Sequence, residues 1–240
     1  MGKIYTREQI TPSVCNLRQP LPNSRFLSGT GFFLAAQQDL YLVSASHVAS
    51  KLTREAEIIV SDASSRPVML SWRHLIGSDS LPMWMNHSEA DISILELSPD
   101  QETFDNHLKG RFLPFELFPS AKEPPNRDLI LTSVGFPLDL GASGYFSPLT
   151  FESKASSGFL TLERFDTHTP CTFFILQDPS IGGYSGCPVF DLSIIKLGAM
   201  TTTGHGTVCY GITHGTISDQ TGGKLAAVTP SYYIHGLISV

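Results

Sequence analysis

Charge is sparse in this chain and is nowhere gathered into a basic patch. Only 16% of the 240 residues are charged, and the formal net charge is −6. A surface that grips phosphates needs clustered lysine and arginine, so no nucleic-acid partner is expected. Long hydrophobic runs are missing as well. No stretch approaches the roughly 18 apolar residues of a membrane span, so no membrane partner is expected. The opening MGKIYTREQI lacks the apolar core of a secretory signal, which leads to a cytoplasmic expectation. The four cysteines, Cys15, Cys171, Cys187 and Cys209, form no C-x-x-C pair, which argues against a zinc knuckle or a redox couple. Buried free thiols are expected, with a Cys187–Cys209 bridge between neighbouring strands as the alternative. No H-E-x-x-H occurs, and neither a metal nor any other cofactor is expected.

What is present reads as strands. Hydrophobic residues make up 41% of the chain, and Gly (20) and Pro (16) are frequent, which favours short strands and many turns. Thr30–Ala35 and Leu40–Ser44 flank the polar turn Gln37-Gln38-Asp39 and read as a hairpin. Glu57–Val60, Val68–Trp72 and Ile92–Leu97 follow as strand candidates. The Pro-rich stretch 119–127 then breaks all periodicity. Beyond it come Leu129–Val134, Thr150–Glu152, Phe159–Glu163, Thr172–Leu176, Val189–Asp191, Thr207–Gly211 and Leu225–Val228. Pro230 leads a final segment with the spacing of a short helix. No amphipathic helices alternate with the strands, so a βαβ pattern is disfavoured. The expected organisation is an N-terminal unit over 1–118, a linker over 119–127 and a C-terminal unit over 128–240.

Three stretches carry candidate chemistry. Leu42-Val-Ser-Ala-Ser-His47 is an apolar strand ending in small residues and a histidine. Glu89-Ala-Asp91-Ile-Ser-Ile-Leu opens a half-buried strand with an acid. Gly182-Gly-Tyr-Ser185-Gly-Cys-Pro-Val-Phe190 surrounds a serine with glycines. In that order and at those gaps, the three resemble the histidine, aspartate and serine segments of chymotrypsin-like (trypsin-like) serine peptidases. In style they are similar to the bacterial HtrA-type and glutamyl-endopeptidase-type domains. Thr30-Gly-Phe-Phe-Leu34 and Val134-Gly-Phe-Pro137 resemble flanking strands of the same family, so the resemblance runs over about 28–238.

The resemblance implies an all-β fold of two six-stranded antiparallel β-barrels with a short C-terminal helix. It implies a serine endopeptidase acting on a protein or peptide substrate through an acyl-enzyme. A serine hydroxyl is a weak nucleophile, so His47 would take its proton, with Asp91 orienting the imidazole. The amides of Gly183 and Ser185 would form the oxyanion hole. Thr213, His214 and Gly215 would bind substrate along the strand that lines the primary pocket. Tyr184 stands where digestive members carry an aspartate that pairs with a newly cut N-terminus, so no activating cleavage is expected. Pro179 replaces the acid that selects basic residues, so a basic residue before the scissile bond is disfavoured. A small or apolar one is expected, with an acidic one as the alternative, since His214 lies one residue beyond the place of the family's carboxylate-binding histidine and Thr213 takes that place.

Two rivals remain. An α/β-hydrolase elbow at Ser185 needs a helix after it, and Pro188-Val-Phe190 argues for a strand instead. The stronger rival is a catalytically silent or partner-activated protease-fold binding module. Unrestricted proteolysis inside a cell is harmful, so a restricted substrate or a regulatory protein partner belongs to either reading.

Overall fold

The computed structural model describes residues 2–78, 80–197, 200–218 and 224–238. The first half of the chain supplies β1 (Val14–Leu21), β2 (Arg25–Ala36), β3 (Asp39–Ser44), β4 (Glu57–Ser61) and β5 (Pro67–Leu70). It continues with β6 (Met85–Asn86), β7 (Ser93–Leu97) and β8 (Leu113–Pro114). These eight strands form one sheet in the order β5-β4-β1-β2-β3-β7-β6, with β8 pairing onto β2. The second half supplies β9 (Leu131–Gly135), β10 (Leu149–Ser153), β11 (Leu160–Glu163), β12 (Pro170–Leu176) and β13 (Pro188–Asp191). After the small hairpin of β14 (Ile194–Leu197) and β15 (Met200–Thr203) come β16 (Val208–Ser218) and β17 (Lys224–Pro230). The second sheet has seven strands in the order β10-β9-β13-β16-β17-β12-β11.

The expectation of two closed six-stranded barrels is therefore corrected. Closure requires the first and last strands of a sheet to pair with a fixed stagger. Here the strand order of each sheet is linear, with β5 and β6 ending one and β10 and β11 ending the other. The end strands are short, only two residues in β6 and four in β11, and offer little ladder for a closing pair. The architecture is all-β in two open sheets of eight and seven strands. The last helical segment, Ser231–Gly236, is 3₁₀ rather than α.

The β2–β3 hairpin explains its apolar run. Phe32 and Leu34 face a core layer that also holds Val43 and Ile94, together with Val134, Phe190 and Ile212 of the second sheet. Phe33 and Leu42 face a second cluster with Leu17, Ile58 and Trp72. Both faces of the hairpin are covered, so polar alternation vanishes there. Trp72, expected at the end of a strand, instead begins the helix Trp72–Ile76, where the Ser71 and His74 side chains form a capping box. Among the described residues no helix is long and apolar enough to cross a membrane.

Candidate functional site

His47 is delivered by the end of β3. The chain leaves the sheet at Ser44, whose hydroxyl donates to the Thr30 carbonyl at 2.8 Å. It then makes one helical turn over Ser46–Ala49. Only small residues fit this exit, because Ser44, Ala45 and Ser46 are all buried. Asp91 lies just before β7, which pairs with β3 from Ser44↔Ser93 to Leu40↔Leu97. The pairing of these two strands carries the acid to the histidine.

Asp91 is fully buried and heavily bonded. Its Oδ1 accepts the His47 backbone N–H at 3.0 Å and the Arg164 guanidinium at 2.9 Å. Its Oδ2 meets His47 Nδ1 at 2.7 Å and also His214 Nδ1. Burial pushes the Asp91 carboxyl up, but hydrogen bonds from His214 and His47 outweigh it and hold the group far below the usual carboxylate range. Arg164 also grips Asp166, at 2.6 and 2.9 Å, so one guanidinium is shared by two acids.

Ser185 comes from a turn that needs its glycines. Gly183 and Gly186 have φ of +98° and +90°, where a side chain is strained. A Cβ on Gly183 would overlap the Phe136 carbonyl, and one on Gly186 would overlap the Thr30 carbonyl and the Ser44 hydroxyl. The turn is held by Cys187 N–H to Tyr184 O at 2.9 Å, Gly186 N–H to Thr213 O at 2.8 Å and Thr30 N–H to Ser185 O at 2.9 Å. Neither the Gly183 nor the Ser185 amide donates to another group among the described residues. The Ser185 hydroxyl donates to the His214 carbonyl at 3.0 Å. It makes no hydrogen bond to His47, and among the described residues no other serine supplies one to that imidazole. The buried His–Asp pair thus stands without a serine completing it.

His47, Gly183 and Ser185 nevertheless border one cavity of about 230 Å³. Thr213, His214 and Gly215 lie in β16. Thr213 is buried, with its Oγ1 3.1 Å from Cys187 Sγ, and it walls a much smaller cavity of about 30 Å³ with Tyr184. His214 sits behind the groove on Asp91, and its Nε2 is buried without a partner. Gly215 passes close to the ring of Phe165. Tyr184 is buried, and its hydroxyl donates to the Leu149 carbonyl at 3.2 Å.

Arg164 and Phe165 were not singled out in the sequence. Both follow β11, and Phe165 sets its ring 4.8 Å from that of His47 and 4.5 Å from that of His214. No motif marks them, because each acts on a partner far away in the chain.

His47, Asp91 and His214 are also the one group among the described residues that could hold a metal ion, with ligand atoms within 4.8 Å of one another. Both Nδ1 atoms are engaged with the carboxylate, and the Arg164 cation occupies its other oxygen. A metal would have to break those bonds beside a fixed positive charge, so the donor set reads as a hydrogen-bonded cluster. All four cysteines are free and buried. Burial pushes the Cys187 and Cys209 thiols up to about 12.

No protein-family model matches the sequence, and no curated protein matches it. Solved structures do match in fold. The MamO protease domain from Magnetospirillum magneticum gives a TM-score of 0.58 at 14% identity, over 98% of this chain and 100% of that one. The serine endoprotease from Yersinia pestis gives a TM-score of 0.53 at 15% identity, over 95% of this chain and 62% of that one. What this chain shares with these two proteins is the fold.

Proposed function

We propose that the chain is a peptide-binding module on a serine-protease fold, silent as it stands or held inactive until a partner engages it. The observation that carries this reading is the Ser185 hydroxyl, which donates to the His214 carbonyl and not to His47. A base that is not hydrogen-bonded to the nucleophile is not placed, in this arrangement, to take its proton during attack. Asp91 adds to the effect, since its carboxylate is divided among His47, His214 and Arg164. Binding is supported by the cavity that His47 and Ser185 share.

A second reading, serine endopeptidase through His47, Asp91 and Ser185, is favoured by one observation. The His47–Asp91 pair is formed, and the Gly183 and Ser185 amides are unspent. His47 and Ser185 line the same cavity, and bonds between a base and its nucleophile often tighten only in the substrate complex. A fluorophosphonate probe separates the two. With the base disengaged, labelling of Ser185 in the isolated chain is expected to be at least about a hundredfold slower than in a peptidase with an assembled triad. Full labelling within minutes, absent in Ser185→Ala, would establish the endopeptidase instead.

A further inference from the structure

One cavity borders Ser185 and another borders its neighbour Tyr184, and they differ greatly in size. The one in the second sheet, bordered by Ser133, Tyr184, Thr213 and Ala226, holds about 30 Å³, the share of a single water molecule. The other holds about 230 Å³ and is walled by Leu17, Leu27, Val48 and Leu52, all from the first half of the chain, with Gln19 and Lys51 beside them and His47 and Ser185 on its border. That volume lies below the roughly 300–1,000 Å³ of sites for whole small molecules. It suits one large apolar side chain.

A strand edge runs beside the larger cavity. β2 pairs with β1 from Arg25 to Phe32, but with β3 only from Phe32 to Ala36. From Arg25 to Gly31 its second edge has no strand partner among the described residues. The Thr30 amide on that edge donates to Ser185 O, so the edge faces the groove. By the two-residue alternation of a strand, the amide and carbonyl of Ser28 face the same way. An extended peptide added there would gain main-chain hydrogen bonds, with the adjacent cavity reading one side chain.

The side of the peptide follows from chemistry. In acyl transfer the histidine protonates the departing amine, so the leaving half of a peptide lies on the histidine's side. His47 borders the large cavity and not the small one.

We propose that the cleft selects its peptide through the residue just after the scissile position, taking leucine, methionine or phenylalanine between Leu17, Leu27, Val48 and Leu52, with a small residue before it. The proposal rests on the peptide-groove reading given above and does not require cleavage.

The test uses fluorescein-labelled octapeptides, identical except at one position, which follows an alanine and is Leu, Met, Phe, Ala, Ser or Asp. Binding is read by anisotropy with Ser185→Ala, and cleavage by mass spectrometry with the wild type. Burying the three carbons by which leucine exceeds alanine is worth on the order of fiftyfold in Kd if complete and on the order of tenfold if half complete, so the apolar peptides should bind tighter than the alanine one by a factor in that range. Leu27 is 41% exposed, so Leu27→Asp is expected to fold and to erase the preference, while Leu27→Met keeps it. If Leu27→Asp loses its circular dichroism, Leu27→Ala replaces it with the same expectation at a smaller factor. Equal affinity across the set, no binding by any peptide, or tighter binding in a second set where leucine or phenylalanine replaces the preceding alanine overturns the proposal. Selective binding without cleavage sustains it and removes only the endopeptidase reading. Cleavage indifferent to the varied residue does the reverse.

Discussion

Replacing Asp91 by asparagine removes one negative charge from the most heavily bonded side chain of the site. The carboxylate receives four donors, namely the His47 amide, the His47 and His214 imidazoles and the Arg164 guanidinium. An asparagine keeps one oxygen, so at least two of these donors meet an NH₂ group instead. Bonds to a charged acceptor are each worth about 1.5–3 kcal/mol, against about 0.5–1.5 for neutral ones. Arg164 retains Asp166, which limits the loss on that side. With the NH₂ in the place of Oδ2 the imidazoles must turn their protons to Nε2, and for His214 that atom is buried without a partner among the described residues. With it in the place of Oδ1, it faces the His47 amide and Arg164 instead. Together these changes should cost about 3 kcal/mol. For a chain of this length that lowers Tm by roughly 6–12 °C.

The same variant has a pH signature. The folded-state pKa of Asp91 is depressed, so its ionisation contributes stability in full above the unfolded value, about 3.9, and loses it as pH falls toward the folded value. The gap between wild type and Asp91→Asn at pH 5 is the reference for the Asp91 ionisation. By pH 3 it should shrink by about 1 kcal/mol, because one pKa unit corresponds to about 1.4 kcal/mol. Urea titrations of both proteins at pH 7, 5 and 3 supply the comparison, and other carboxylates cancel in the difference. A gap below 1 kcal/mol at pH 7, or one that is the same at pH 3 as at pH 5, would refute the account of Asp91.

Two further outcomes follow from the turn and the thiols. Gly186→Ala combines a φ of +90° with overlap onto the Thr30 carbonyl and the Ser44 hydroxyl. It should destabilise by at least about 3 kcal/mol, and a midpoint in urea equal to wild type would contradict that geometry. The four cysteines are free and buried. A thiol-reactive chromophore should therefore titrate almost none in the native protein and all 4 after unfolding. A full count that requires a reductant would mean a disulfide instead.

Local pattern carried much of this molecule. The Thr30–Ala35 and Leu40–Ser44 runs became the β2–β3 hairpin, because apolar stretches bracketing a polar turn have few other ways to bury themselves. β1 escaped notice, since Asn16, Gln19 and Pro20 interrupt its apolar signal. Asn16 is buried there, and its amide donates to the Ser28 hydroxyl across the β1–β2 pair. Closed barrels were expected from a family likeness, and the linear order of both sheets replaces them.

The chain alone identified His47, Asp91 and Ser185 as residues with chemistry to offer, through short flanking patterns of small and apolar residues. Tertiary structure alone decided what each one touches. Arg164 and His214 reach Asp91 across 73 and 123 residues, and the Ser185 hydroxyl donates to a carbonyl 29 residues away. Sequence spacing records periodicity within an element. The partners of a buried carboxylate, and the rotamer of a single hydroxyl, depend on how distant strands pair and on a few ångströms between them.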